Sequence, residues 1–159
     1  LTPILSYSKD HYYRLYLQSD RGKEKCDEIV KQHQYFLFCH HCLNFKTSLY
    51  NREMCFCGKE FVFAGPLWIG NVGDASLLQK MVKNNLFPEE QKFLDLLQHE
   101  YQNNKVGFYD LHVLAKKYKF DVQKMEEVLL KLKGVRTHFT PTGIKTDRSL
   151  KDVLKAVKQ

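Results

Sequence analysis

The chain has 159 residues, of which 43% are hydrophobic and 13% aromatic, so it can build one ordinary domain or two small ones and is not wholly disordered. No apolar run approaches the ~20 residues of a membrane-spanning helix, and the N-terminus lacks a signal-peptide core, so we expect no membrane partner. The net charge is +7 at pH 7. Residues 1–104 carry 12 Lys/Arg and 12 Asp/Glu, whereas residues 105–159 carry 13 and 6. This asymmetry favours a polyanionic partner for the last third, although a solvated lysine-rich surface has the same composition.

The five cysteines indicate a reducing compartment. Two of them form a C-x-x-C pair, which is more typical of metal binding than of a disulfide framework. We therefore expect an intracellular location, cytoplasmic or, in a eukaryote, nuclear. The first residue is Leu1 rather than Met, so we also expect a segment of a longer product.

Residues 1–72 are predicted to form a small, mostly antiparallel β region. HYYRLYLQ (11–18) has the alternation of a strand, with Tyr13, Leu15 and Leu17 on one face. DRGKEKC (20–26) has the composition of a polar turn, and Tyr35 to Phe38 form a second β-type run. FVFAGPLWIG (61–70) is a third, in which Gly65-Pro66 predicts an edge strand or a bend.

Residues 73–159 are predicted to form a helical region. Asp74 is a candidate N-cap for SLLQKMVKNNL, and Pro88 begins the helix PEEQKFLDLLQHEYQ. FYDLHVLAKKY (108–118) predicts a helix with Leu111, Leu114 and Ala115 inward, and DVQKMEEVLLKLKG (121–134) predicts another, capped by Asp121 and stopped by Gly134. A Gly/Pro/Thr-rich segment and a helix from about Ser149 follow. The order favours an α+β fold with a winged-helix-like domain whose β wing is THFTPTGIKTD (137–147); the alternative is a three-helix bundle with a loop.

A zinc-ribbon-like knuckle is the sharpest local pattern. Cys39 and Cys42 are followed by Cys55 and Cys57, and two cysteine pairs at this separation are typical of a tetrahedral thiolate site. The second pair is C-x-C rather than C-x-x-C, so His40 or His41 is an alternative ligand, and a set of reduced buried cysteines is the alternative to a metal site. No open coordination position is evident, so we expect a structural zinc.

Enzyme signatures are otherwise missing from the sequence. There is no G-x-G-x-x-G after a strand, no G-K-[ST] phosphate loop, and no evident catalytic triad. We predict no catalytic residue and no cofactor-binding residue in this chain.

Five segments in chain order resemble one family. LTPILSYSKDHYYRLYL, the C-x-x-C…C-G knuckle, GPLWIG, YDLH and RTHFTPTGIKTD resemble the C-terminal half of the tRNA (guanine-26, N2)-dimethyltransferases, over essentially the whole chain. The resemblance implies an N-terminal S-adenosylmethionine-binding domain and a C-terminal part that helps bind tRNA. It also implies transfer of one or two methyl groups to N2 of guanine 26. S-adenosylmethionine would then bind only to the missing catalytic domain, on the same chain or a separate one.

This resemblance assigns roles to the two regions. Residues 1–72 are expected to dock on the catalytic domain through Tyr12, Arg14 and Trp68, unless Trp68 belongs to the local core. Residues 73–159 are expected to bind tRNA. Phosphate contact requires cations and hydrogen-bond donors, and the wing and its flanks supply both. The predicted RNA-binding residues are Arg136, Thr137, His138, Thr140, Thr142, Lys145, Thr146 and Arg148, and Gly143 allows close backbone approach.

Two other classes of function stay open at this stage. One is a stand-alone zinc-ribbon and winged-helix DNA binder, which Glu126 and Glu127 on the third helix disfavour. The other is a protein scaffold for a separately encoded catalytic chain.

Overall fold

The computed structural model describes residues 1–103 and 105–158 and divides the chain into two compact units. The first unit comprises Leu1–Thr2 and Gln18–Gly70, and the second comprises Pro3–Leu17 and Asn71–Gln159. The predicted division after residue 72 differs from this one chiefly because the N-terminal hairpin clusters with the second unit.

Eight strands and six α-helices occur within the described residues. In chain order they are β1 (Thr2–Lys9), β2 (Tyr12–Gln18), α1 (Lys23–Lys31), β3 (His33–Phe38), β4 (Phe45–Ser48), β5 (Val62–Trp68), α2 (Ala75–Lys83), α3 (Gln91–Glu100), β6 (Tyr109–Asp110), α4 (Leu111–Tyr118), α5 (Met125–Leu132), β7 (Val135–Arg136), β8 (Gly143–Lys145) and α6 (Leu150–Val157). Within the described part, no helix combines the length and the apolar character needed to cross a bilayer.

The first unit contains an antiparallel sheet with the strand order β4-β3-β5, joined by α1. β5 therefore lies at an edge, where Pro66 removes no central ladder hydrogen bond, as predicted. The predicted polar turn at 20–26 is wrong, because α1 begins at Lys23. Its Lys and Glu residues are good helix formers, but its apolar residues are few and no residue of α1 is buried, so its composition resembles that of a polar turn.

The N-terminal hairpin joins the second unit through its backbone and its core residue Leu5. The amide of Ser6 donates to Val72 O at 2.8 Å, and the amide of Asp74 donates to Ile4 O at 2.7 Å. Leu5 is fully buried in a cluster with Leu78, Leu97 and Tyr101. These contacts explain why β1 belongs to the second unit, whereas β3 belongs to the first.

The predicted helices of the second unit are largely confirmed. Asp74 caps α2 by accepting from the Leu77 amide at 2.7 Å, and α4 buries Leu111, Leu114 and Ala115. A 3-10 turn, Pro88–Glu90, leads into α3.

The predicted ends of α5 are wrong. Its N-cap is Lys124 rather than Asp121, without a side-chain capping bond. At its C-terminus Lys133, and not Gly134, takes the left-handed conformation, with φ 49°.

The remaining elements of the second unit include three short antiparallel strands and α6. The strands are hydrogen-bonded in the order β6-β8-β7, and along the chain the elements run α3, β6, α4, α5, β7, β8. Ser149 caps α6 by accepting from the Asp152 amide at 3.3 Å. Apolar residues of α5, β8 and α6 are fully or nearly fully buried: Val128, Leu132, Ile144, Leu150 and Val153.

Candidate functional site

Four cysteines of the first unit converge on one point. The Sγ atoms of Cys39, Cys42, Cys55 and Cys57 all lie within 4.8 Å of one another. Cys39 and Cys57 are 3.5 Å apart, and Cys42 and Cys55 are 3.4 Å apart. Zn–S bonds of about 2.3 Å place tetrahedral sulfurs roughly 3.8 Å apart. The donor set and its spacing therefore fit a closed, structural zinc site.

Two tight turns present these thiols. In the first, the amide of Leu43 donates to Cys39 O at 2.7 Å, and Leu43 has φ 60°. In the second, the amide of Gly58 donates to Cys55 O at 2.9 Å, and Gly58 has φ 79°. A left-handed residue after each pair reverses the chain so that both sulfurs of a turn face the same side. Glycine is well suited to the second turn because it has no Cβ to oppose that conformation.

The C-x-C spacing does not prevent convergence. Met54 forms an isolated bridge with Glu60 and is 63% exposed, so the turn begins at Cys55. His40 and His41 are outside the described cysteine cluster. Burial raises the pKa of the Cys39 thiol, but hydrogen bonds from the Cys42 amide and the Cys57 thiol outweigh burial and lower the pKa to about 7.

A buried carboxylate organises the segment predicted to be the wing. Glu100, at the end of α3, has no exposed surface. Its Oε1 accepts from Thr137 Oγ1 at 2.9 Å and from Lys145 Nζ at 2.8 Å. Its Oε2 accepts from the His138 amide at 2.7 Å and from His138 Nδ1 at 2.6 Å. Four donors therefore hold one carboxylate and fasten both sides of the segment to α3.

The hydrogen bonds also assign the protonation of this cluster. His138 Nε2 accepts from the Ser8 amide at 3.1 Å, so the ring proton is on Nδ1 and the imidazole is neutral. Burial raises the pKa of Glu100, but the hydrogen bond from His138 and the charge of Lys145 outweigh burial and lower the pKa to about 2. The cluster therefore contains one buried ion pair, Glu100 with Lys145.

The predicted RNA-binding residues separate into two groups. Thr137, Lys145 and Thr146 are at most 8% exposed, and the His138 side chain has no exposed surface. Each of these four bonds protein groups, and Thr146 Oγ1 donates to Leu132 O at 2.8 Å. Their burial does not favour RNA contact, which stays a prediction for them.

The other predicted RNA-binding residues keep some exposure. Arg136 and Arg148 are exposed, and Thr140 and Thr142 are half-buried with their hydroxyls 3.2 Å apart. RNA contact by these residues stays a prediction. Arg136 is paired with Glu126 at 2.8 Å, both at the surface.

The predicted interface residues are at least partly accessible. Arg14 is exposed and lies 5.2 Å from the centre of the half-buried Tyr12 ring. Trp68 is half-buried and meets the His33 ring edge-on at 5.5 Å. On β2, Tyr13, Leu15 and Leu17 are 85%, 58% and 42% exposed, so this hairpin presents apolar side chains to the surface.

Glu100 is the residue that sequence reasoning missed. It lies at the end of an amphipathic helix, where a polar side chain is ordinarily solvated. One sequence signal could have indicated its burial. Glu100 lies three residues after Leu97 and directly before Tyr101, so it shares the helix face on which Leu97 is fully buried.

Comparison with known proteins identifies the family. The family described as N2,N2-dimethylguanosine tRNA methyltransferase matches residues 1–158. The chain belongs to this family. It is 35% identical over its whole length to the tRNA (guanine(26)-N(2)/guanine(27)-N(2))-dimethyltransferase of Aquifex aeolicus. It is 36% identical over its whole length to the tRNA (guanine(26)-N(2))-dimethyltransferase of Methanocaldococcus jannaschii.

A solved member of the family has the same fold. The structure of Trm1 from Pyrococcus horikoshii with S-adenosyl-L-methionine superposes with a TM-score of 0.79 at 30% identity, covering 98% of this chain. The chain spans 43% of that protein and 43% of each of the two curated relatives.

Proposed function

We propose that the chain is the C-terminal, tRNA-recognition part of an S-adenosylmethionine-dependent tRNA methyltransferase that mono- and dimethylates N2 of guanine 26. The observation that carries the proposal is family membership over the whole chain together with coverage of 43% of the relatives. The catalytic domain and its S-adenosylmethionine site would lie in the remaining part, so this chain alone is catalytically incomplete.

Residues of the second unit form a winged-helix-like tRNA-binding domain in this proposal. The order α3, β6, α4, α5, β7, β8 and the sheet order β6-β8-β7 support the assignment, since a winged helix has three helices and a wing between its last two strands. In this assignment α5 is the third helix. Its first turn carries Glu126 and Glu127, and the helix has no Arg, Asn or Gln, which disfavours reading of DNA base edges by this helix.

The first unit would be a zinc-ribbon-like module held by a structural zinc. Cys39, Cys42, Cys55 and Cys57 would be its ligands, and their burial on two reversed turns supports a closed site. The zinc would contribute folding free energy and no chemistry to methyl transfer.

Tyr12, Arg14 and Trp68 would contact the methyltransferase domain. Aromatic anchors and arginine are enriched at protein interfaces, and Arg14 is exposed while Tyr12 and Trp68 are half-buried. A blue shift of Trp68 fluorescence on adding the catalytic domain is expected; an unchanged, already blue emission would mean that Trp68 is a core residue.

A chimeric enzyme tests the proposed function. The matching 43% of the Aquifex aeolicus enzyme is replaced by this chain, and formation of N2-methylated guanine 26 in a tRNA transcript is measured. Methylation is expected from the chimera and not from the enzyme with this segment deleted. Equal activity of the deleted enzyme would refute a role in tRNA recognition. Preference of the isolated chain for duplex DNA over tRNA would favour the stand-alone DNA binder.

A further inference from the structure

Lys145 of the predicted wing and Arg136, which directly precedes the wing, are each paired with a carboxylate. Lys145 gives its ammonium to Glu100 at 2.8 Å, and Arg136 is paired with Glu126 at 2.8 Å. A cation that is held by a protein carboxylate offers little net charge to a phosphate. Cations without a carboxylate partner are therefore better placed to contact phosphates in this region.

A cleft between α5 and α6 gathers cations of that kind. It has a volume of about 350 Å³ and is lined by Lys131, Leu132, Arg148, Asp152, Lys155 and Ala156. Among the ion pairs formed within residues 1–103 and 105–158, none includes Lys131, Arg148 or Lys155. The one carboxylate, Asp152, accepts from Ser149 Oγ at 2.6 Å, and this hydrogen bond together with the charge of Arg148 lowers the pKa of Asp152. The cleft keeps an excess of two positive charges.

Neutral groups hold Lys131 at this cleft. Its ammonium donates to Gln123 Oε1 at 3.0 Å and to Ala156 O at 3.4 Å. Gln123 in turn donates from Nε2 to Val157 O at 3.1 Å. The ammonium is thus positioned at the C-terminal end of α6 while its charge remains uncompensated by a carboxylate.

A second cleft is a weaker candidate. It measures about 520 Å³ and is lined by Gln102, Asn103, Lys105, Lys133, Val135 and Asp147. Lys105 there is paired with Asp147 at 3.6 Å, which leaves only Lys133 as an uncompensated cation of that lining. Lys116 and Lys117 of α4 are exposed but line neither cleft.

We propose that the cleft lined by Lys131, Arg148 and Lys155 binds the phosphodiester backbone of tRNA and supplies more of the electrostatic affinity than the wing does. This inference rests on the proposed function, because it places the RNA contact of the same domain. It moves that contact from the hairpin to the adjoining helices, and it retains Arg148 alone among the residues predicted from the sequence.

A salt series of tRNA binding tests the proposal with the 159-residue chain. The variant Arg148→Gln plus Lys155→Gln is compared with the control Lys80→Gln plus Lys83→Gln, which removes the same charge from the exposed face of α2. Each phosphate contact that is lost should reduce the slope of log affinity against log salt by about 1. We expect a reduction of about 2 for the cleft variant and little change for the control.

The outcomes separate the inference from the proposed function. A wild-type chain that does not bind tRNA would overturn both. Wild-type binding with equal slopes in the two variants would overturn the inference alone. A second measurement needs no variant. Chemical acetylation of each lysine of the wild-type chain is measured with and without tRNA, and tRNA should reduce acetylation of Lys131 and Lys155 but not of Lys80 and Lys83. Equal acetylation of Lys155 with and without tRNA would also overturn the inference.

Discussion

Glu100 compensates a buried ammonium and satisfies three further donors, so its replacement tests the cluster at the scale of one residue. Glu100→Gln would leave Lys145 buried without a counter-charge and would direct an amide N–H₂ at other donors. Removing one partner of a buried pair typically costs about 3–5 kcal/mol. We expect a loss of this size in urea unfolding, with Glu127→Gln, an exposed change, as the control. A loss below about 1 kcal/mol, the range of surface substitutions, would show that the pair contributes little.

The same carboxylate predicts a pH dependence. Its pKa falls from 4.5 to about 2 on folding, so its stabilisation is complete above pH 4.5 and is lost as the pH falls from 4.5 towards 2. The stability difference between wild type and Glu100→Gln should therefore shrink over this interval. The stability of the second unit alone can be measured by hydrogen exchange of the Leu97 amide, because Leu97 is buried in that unit. A difference that stays constant from pH 6 to pH 2.5 would contradict the assignment.

The residues of this cluster show what a sequence pattern leaves undetermined. Thr137 and His138 are 37 and 38 positions from Glu100, and nothing in local polarity indicates that they meet. Polar residue types in a Gly/Pro/Thr-rich segment predict exposure on average, yet a single buried carboxylate reverses that expectation. The cysteines were easier to assign, because sulfur spacing within each turn is local information.

At the scale of elements, the two cysteine turns are expected to fold only with their metal. Cys39→Ser should lower the zinc content from about one equivalent per chain to less than about a tenth, and should lower the melting temperature of the first unit. Cys26→Ser is the matched control, because Cys26 is an exposed cysteine of α1. Metal analysis and Trp68 fluorescence report the two effects. Less than a tenth of an equivalent in the wild type would itself refute the zinc site.

Gly143 at the start of β8 is required by packing. Its φ is not positive, so backbone conformation does not require glycine there. An added Cβ would lie 2.4 Å from Thr137 Cγ2 and 2.8 Å from Thr140 Cγ2. Gly143→Ala should therefore destabilise the second unit by about 1–3 kcal/mol. The exposed Pro141→Ala in the same segment is the control, and equal urea midpoints for the two variants would contradict the packing argument.

Elements were predictable where local chemistry alone determines them. α2 and α4 have an Asp cap and an apolar stripe, and both were expected within a few residues. α1 has neither a side-chain cap nor a buried residue, so its helical propensity was masked by its polarity. The start of α5 was misplaced because Asp121 resembles a cap, whereas the first helical turn begins four residues later.

For the whole molecule, the two units are expected to respond separately to loss of metal. The cysteine cluster belongs to the first unit, whereas the core of Leu5, Leu78, Leu97 and Tyr101 belongs to the second. A strong chelator should therefore shift Trp68 fluorescence at a concentration that leaves hydrogen exchange of the Leu97 amide unchanged. Simultaneous loss of both signals would show that the units unfold together.

The family could be inferred from sequence because several specific segments recur in order, and the match over residues 1–158 confirms it. The membership of the hairpin could not be inferred, since β1 is assigned to the second unit by partners such as Gly73 and His138, which are distant in the chain. Local alternation predicts a strand but does not identify its neighbours.

The interruption of the second unit by Gln18–Gly70 has a consequence for the newly made chain. Ser6 leaves the ribosome 66 residues before Val72, its hydrogen-bond partner. At about 5–20 residues per second this interval is roughly 3 to 13 s. The strands of the first unit's sheet are all synthesised during this time, while β1 still lacks its partners from Val72 onwards. Nascent chains stalled before residue 72 should therefore leave β1 accessible to proteases and chaperones.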